Sequence, residues 1–264
     1  MPLPSLHGLS GGNDNFTELL LHMDGANRST TFTDSSKNAF TVTAVGAAQL
    51  TTSQQKFGAS SGSFNGSVGT YCTVPNSSSW DMGSGDFTCD FWFRIGATGD
   101  FETFLSRLGG GGNFVIRRDS TNVLRAFYNG GGANNGELVG VTAISANTWY
   151  HCAYVKGGST AYLFLNGALE TSGSASNSMT SAGTALYIGG RLDSSDPYAG
   201  SSTKSELLRL RLAGLRRSRR RRARTGDEVY IPHVGGLLEI YADVEEAIAL
   251  LQSIGADLRA ILVL

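Results

Sequence analysis

The 264-residue chain has no apolar run approaching the ~20 residues that a helix needs to cross a bilayer, so no membrane association is expected. Its start, MPLPSLHGLSGGNDNF, lacks the basic head and apolar core of a secretory signal, and we expect synthesis in the cytoplasm without a signal peptide. Prolines number only 5 and charged residues 16%, against 35 glycines; that balance suits short strands joined by tight turns and excludes a helical bundle. Cysteine is scarce too. Cys72, Cys89 and Cys152 have neither an even count nor a CxxC spacing, so they read as small buried side chains, with Cys72 and Cys89 the one pair worth testing for a bridge. His7, His22, His151 and His233 form no metal-ligand spacing, and no serine sits in a nucleophile-elbow pattern.

What charge there is divides unevenly. Residues 1–200 carry 10 Lys/Arg against 14 Asp/Glu, a net of -4, whereas residues 201–264 carry 11 against 8, a net of +3. The two parts differ in kind.

The clearest local grammar lies at 147–169, NTWYHCAYVKGGSTAYLFLNGAL. Trp149 to Val155 is rich in β-formers, Lys156-Gly157-Gly158-Ser159 is turn chemistry, and Tyr162 to Leu165 is a second apolar strand closed by Asn166-Gly167, a strong hairpin signal. Phe87 to Ile95 is the most strand-like run, and period two places Phe87, Cys89, Phe91 and Phe93 on one core-facing side. Further strands are expected at Glu18 to Met23, Thr30 to Thr33, Ala39 to Val45, Lys56 to Phe64, Tyr71 to Val74, Phe101 to Leu108, Asn113 to Arg118, Asn122 to Tyr128, Leu138 to Ile144 and Ala185 to Gly189. Roughly a dozen short strands with polar turns predict an all-β, two-sheet antiparallel sandwich of jelly-roll type.

Seven motifs then come in order: LLLHMDG (19–25), TFTDSS (31–36), KFGASSGSFNG (56–66), GDFTCDFWFR (85–94), NTWYHCAYVKGG (147–158), AYLFLNGAL (161–169) and LYIGG (186–190). Together they resemble the laminin-G-like branch of the concanavalin A-like lectin/glucanase superfamily over about residues 17–200. The implied organisation is an arm at 1–16, the sandwich at 17–200, an arginine-rich linker or frame-shifted segment at 201–225, and a helix-containing segment at 226–264. The resemblance implies a closing strand of the type Ile-Asp-Glu-Val-Arg after Gly200. In its place stands Ser201-Ser202-Thr203-Lys204-Ser205, which the string TCATCGACGAAGTCCG encodes in one frame while encoding Ile-Asp-Glu-Val-Arg two bases on. One expectation is therefore a displaced reading frame from Ser201; the other is a basic insertion, with Gly226 to Ile231 supplying the closing strand.

Arg209 to Arg224 holds nine arginines in sixteen residues. No aromatic interleaves them to stack on bases, so the run reads as a solvated linker and nucleic acid is not an expected partner. Beyond it, Asp243 and Glu246 resemble a capping box, and Leu237, Tyr241, Val244, Ile248, Leu251, Gly255, Leu258 and Leu262 follow coiled-coil spacing. One reading is a single helix over 237–262 that supports homo-oligomerisation; the other is a small β-α-β unit.

Enzymatic chemistry is not expected, because Glu18, Glu102, Glu137 and Glu170 are isolated and no Glu-x-Asp-x-x-Glu arrangement offers the paired carboxyls of a retaining glycosidase. The resemblance implies a binding module for glycans or cell-surface ligands, with Arg107, Tyr128, Arg191 and Tyr198 as candidate contacts and Trp80 read as packing. It also implies a possible calcium ion at Asp24, joined by Asp227 if that residue replaces the missing closing-strand aspartate. By analogy, such a module with a separate C-terminal piece resembles virion proteins of tailed bacteriophages. The expected function is recognition of host-surface glycans from the virion, or else capsid or tail decoration among other virion proteins through the C-terminal segment.

Overall fold

The structure, a computed structural model, describes residues 16–109, 113–129, 137–176, 178, 183–191 and 208–213. In chain order its strands are β1 (Thr17–Leu21), β2 (Phe32–Thr33), β3 (Thr41–Val45), β4 (Gln49–Thr51), β5 (Ser61–Ser63), β6 (Tyr71–Val74), β7 (Asp86–Arg94) and β8 (Glu102–Arg107). They continue as β9 (Asn113–Arg118), β10 (Leu124–Asn129), β11 (Leu138–Val139), β12 (Trp149–Gly157), β13 (Thr160–Leu165), β14 (Ala168–Ser174), β15 (Leu186–Ile188) and β16 (Leu208–Ala213). One sheet has the order β1-β16-β7-β12-β13-β14, the other β11-β10-β9-β8-β15-β6-β3-β2, and β4 pairs with β5. Pairing is antiparallel throughout these strands. This is the expected all-β sandwich.

Its core lies between the two sheets. Phe87, Cys89, Phe91 and Phe93 of β7 are all buried, as alternation predicts, and meet Phe104, Phe114, Tyr128 and Tyr154 from β8, β9, β10 and β12. Each such ring contributes about 1.5–3 kcal/mol by leaving water. The three cysteines are buried and free, so Cys72 and Cys89 form no bridge. Burial pushes the Cys72 thiol up to about 12. The β13–β14 turn has Asn166 at φ 50° and Gly167 at φ 79°, the two positive angles that Asn-Gly supplies with little strain.

Two expectations need correction. Lys56 to Phe64 is not one strand: Gly58 adopts φ +58°, which ends extended backbone, and only Ser61–Ser63 pairs. At the other end of the chain, the residues expected to be linker contain β16. Leu208–Ala213 pairs antiparallel with both β1 and β7, closing the six-stranded sheet. Leu210 stands opposite Leu19 and Cys89, and Arg209 opposite Leu20 and Asp90. The alternation Leu-Arg-Leu-Arg-Leu is itself a strand pattern, hidden from the sequence reading by the density of arginine around it. The arm expected at 1–16, save Phe16, and the segment 226–264, whether one helix over 237–262 or a small β-α-β unit, lie outside the described residues.

Candidate functional site

The loop from Pro75 to Gly85 joins β6 in the eight-stranded sheet to β7 in the six-stranded sheet, so it crosses between layers at one end of the sandwich. It contains a single 3-10 turn, Ser78–Trp80, capped by the Ser77 side chain, which accepts from the Ser79 N–H. From the inside, buried polar groups fix this loop at successive positions. Arg107, wholly buried at the end of β8, donates to the Trp80 carbonyl at 2.7 Å, to Asp81 Oδ1 at 2.8 Å and to Asn76 Oδ1 at 3.1 Å. Lys156, 2% exposed, donates to the Ser84 carbonyl at 2.7 Å and the Gly85 carbonyl at 3.2 Å. The Tyr128 hydroxyl donates to the Gly83 carbonyl.

Trp80 completes the arrangement. Its ring is fully buried beside Phe40, centroids 5.2 Å apart, and its indole N–H donates to the Pro75 carbonyl at 2.9 Å. Glu18 of β1 reaches the same loop through Ser79 and also accepts from Lys37 at 2.6 Å and Asn38 at 2.8 Å. Burial alone would raise the Glu18 carboxyl, but these hydrogen bonds and the Lys37 charge outweigh it and hold its pKa below the usual carboxylate range. A loop whose carbonyls are held by core cations leaves its side chains for the outside. Asn76, Ser78 and Ser84 are exposed, while Ser77, Ser79 and Asp81 are half-buried. Because Asn76 Oδ1 accepts from Arg107, the N–H₂ of this exposed residue is the part of its amide that remains to donate. Amide, hydroxyl and carboxylate groups in one fixed loop form a surface suited to hydrogen-bonding a polyhydroxylated ligand.

The structure thus redefines two expected contact residues. Arg107 is 0% exposed and Tyr128 1%, so neither offers a surface to a ligand; both act as positioning residues beneath the loop. The physical reason for Arg107 is the β-bulge between Thr103 and Leu105, which resets the alternation so that Leu105 and Arg107 share the core side. Arg191 is half-buried beyond the end of β15 and lies away from the loop: Leu186 pairs with Val74 beside Pro75, whereas the strand then runs toward Cys72 and Arg191. Tyr198 and Asp227 lie outside the described residues. Trp80 is packing, as expected. His151 is buried between Asp90, 3.5 Å away, and the Trp92 ring.

Asp24 is exposed, but its Oδ1 accepts the Ala59 and Ser60 N–H groups at 3.1 and 3.3 Å, and a Cβ on Gly58 would stand 2.6 Å from it. Amide protons aimed at this oxygen complement its negative charge. No group of three His, Cys, Asp or Glu converges among the described residues. Through Oδ1 the Asp24 carboxylate orders the 58–60 turn.

A laminin-G-type family model, described as the concanavalin A-like lectin/glucanases superfamily, matches residues 65–203, more than half of the chain. The chain belongs to this superfamily. The clamped loop falls inside the matched region, as do β6 to β15. Solved structures share the superfamily fold at low identity. The binding domain of Paraclostridial Mosquitocidal Protein 1 is 14% identical with a TM-score of 0.55, over 75% of this chain and 48% of that one. The receptor-binding domain of botulinum neurotoxin C/D mosaic serotype is 12% identical with a TM-score of 0.53, over 75% and 47%. A botulinum neurotoxin serotype D ligand-binding domain in complex with N-acetylneuraminic acid is 12% identical with a TM-score of 0.51, over 75% and 46%. The chain spans about half the length of these structures. No curated protein matches it in sequence.

Lys156, Asn76, Asp81 and Glu18 escaped the sequence reading. Lys156 carried a signal: it sits two residues after Tyr154 on the same side of an apolar strand, next to a Gly-Gly turn whose carbonyls need donors.

Proposed function

We propose that this chain is a non-enzymatic, glycan-binding module of a phage structural protein, displayed on the virion and recognising host-surface glycans through the Pro75–Gly85 loop. The observation that carries this reading is the clamp: Arg107, Lys156, Tyr128 and Trp80 hold the loop before any ligand arrives, which reduces the ordering entropy that binding must overcome. The superfamily and the names of the fold neighbours, which are binding domains of toxins, one of them crystallised with a sialic acid, support a recognition role. The exposed groups of the loop donate and accept hydrogen bonds, a complement to sugar hydroxyls.

A glycan array probed with the full chain tests the reading. Binding to a defined set of glycans, abolished or weakened at least ten-fold by Asn76→Ala, supports it. An array without binding, or binding that Asn76→Ala leaves intact, rejects the assignment to this loop.

A second reading, a decoration or assembly protein anchored through its C-terminal segment and joined to other virion proteins or to further copies through 237–262, draws support from β16. The chain passes through the six-stranded sheet as β16, between β1 and β7, before residues 215–264. Truncation after Gly214, which retains β16, separates the two. Loss of particle incorporation with unchanged glycan binding favours assembly as the role of the segment, whereas normal incorporation removes that reading.

A further inference from the structure

A second polar and aromatic cluster lies on the outer face of the eight-stranded sheet. Arg117 of β9 is flanked by two rings, its guanidinium carbon 5.2 Å from the centroid of Phe101 and 5.7 Å from that of Phe127. Directly across the strand pair stands Arg125 of β10. Two like charges in register repel. Glu137 lies between them, 3.3 Å from Arg125 and 3.8 Å from Arg117, and Asp119 contacts Arg125 at 2.5 Å. Asp119 is itself fixed by the N–H and hydroxyl of Thr121 and the N–H of Val123.

The Phe101 ring remains 41% exposed over this array. On the neighbouring strand, Thr103 pairs with Arg117, and its hydroxyl is buried with no hydrogen-bond partner among the described residues. Thr103 is 0% exposed, so the part of the patch open to a ligand is the Phe101 ring with the edges of the arginine and carboxylate groups beside it.

We infer that this patch is a second saccharide subsite, one that takes a neutral sugar ring, an inference that rests on the glycan-binding reading above. An exposed aromatic face packs against the C–H face of a pyranose. A guanidinium and a carboxylate held side by side offer the donor and acceptor that vicinal hydroxyls require. Charge decides the ligand class. Among the described residues the charges of Arg117 and Arg125 are balanced by Glu137 and Asp119, and an anionic sugar would face two carboxylates already paired with the arginines. The subsite is separate from the rim loop. Phe101 precedes β8, whereas Arg107 closes it beneath the loop, and that strand puts the two on the order of 15 Å apart. One saccharide chain engaging both sites gains avidity without new contacts at either.

Isothermal titration of the full chain with cellohexaose, maltohexaose and chitohexaose as neutral ligands, and 3′-sialyllactose as the anionic one, tests the inference. At least one neutral hexaose binds, and Phe101→Ala weakens it about ten-fold with an unchanged melting temperature, since the ring is exposed. Glu137→Gln, which makes the patch net positive, weakens the neutral ligand and brings in sialyllactose. Phe101→Ala and Glu137→Gln proteins that bind the neutral hexaose as the parent does would overturn the second subsite. So would the absence of neutral binding in a chain whose array binding still depends on Asn76, and that outcome leaves the rim reading standing. A chain that binds neither these saccharides nor any array glycan overturns both.

Discussion

The rim loop and the outer-face patch use the same residue types in opposite ways. At the rim, the cations Arg107 and Lys156 are buried and spend their hydrogen bonds on backbone carbonyls and loop side chains, so the loop, not the cation, meets solvent. On the outer face, Arg117 and Arg125 retain 18% and 29% side-chain exposure and their partners are other side chains. A buried cation of this kind shapes a surface indirectly, whereas a half-exposed one belongs to the surface. The difference should appear as a separation of stability effects from binding effects.

Arg107→Met should break that comparison most severely. It leaves the half-buried Asp81 carboxylate and the Trp80 carbonyl without their donor, and a loss of about 3 kcal/mol is expected from removing hydrogen bonds made by a charged group. In a thermal melt that corresponds to a fall of roughly 10 °C. Lys156→Met removes the donor from three carbonyls, those of Ser84, Gly85 and Gly158, and should lower stability by about 2–3 kcal/mol. Hydrogen exchange should then speed up at Met82 to Gly85 more than in β12 itself. Asn76→Ala removes one of the three acceptors of Arg107 on the loop, while Trp80 and Asp81 still hold the guanidinium; its expected effect is a ten-fold loss of glycan affinity, about 1.4 kcal/mol, with a loss of stability of only about 1 kcal/mol.

Acid sharpens the comparison further. Glu18 and Asp119 are both held below the ordinary carboxylate range: burial opposes this, but hydrogen bonds from Lys37, Ser79 and Asn38 to Glu18, and from Thr121, Arg125 and Val123 to Asp119, prevail. A carboxylate whose pKa is depressed on folding stabilises the fold above its unfolded pKa, and that contribution is lost as pH falls through the folded value. Stability should therefore decline below about pH 4. Glu18→Gln should flatten part of that acid limb and loosen Ser79, whereas Asp119→Asn should flatten it without touching the rim loop. Phe101→Ala should have the smallest effect on stability, within about 0.5 kcal/mol, as expected of an exposed side chain.

Much of the sandwich was legible because burial imposes period two. The β7 aromatics and the Asn166-Gly167 turn follow directly from it. β14 has little apolar signal in ALETSGS and is held by its pairing with β13. The candidate site was less legible. Arg107 and Tyr128 drew attention as polar or aromatic residues near loops, yet which side of a strand they occupy depends on a bulge in β8 and on partners distant in the chain. A charged residue in a strand reads as exposed by default, and the carbonyls of loop 75–85, which make burial of Arg107 and Lys156 tolerable, are invisible until the loop is folded over them. For β16 the difficulty was compositional, since leucines that alternate correctly lay within an arginine-rich run.

The central claim is that a loop held from within presents the recognition surface. Amide chemical-shift mapping on addition of a glycan selected from the array tests it most directly. The account predicts the largest perturbations at Asn76 to Ser84, with little change in the β7 and β12 amides below. Perturbations confined to the Gly58 turn at Asp24, or to the outer face of the six-stranded sheet around Trp92, with loop 75–85 unmoved, would contradict it.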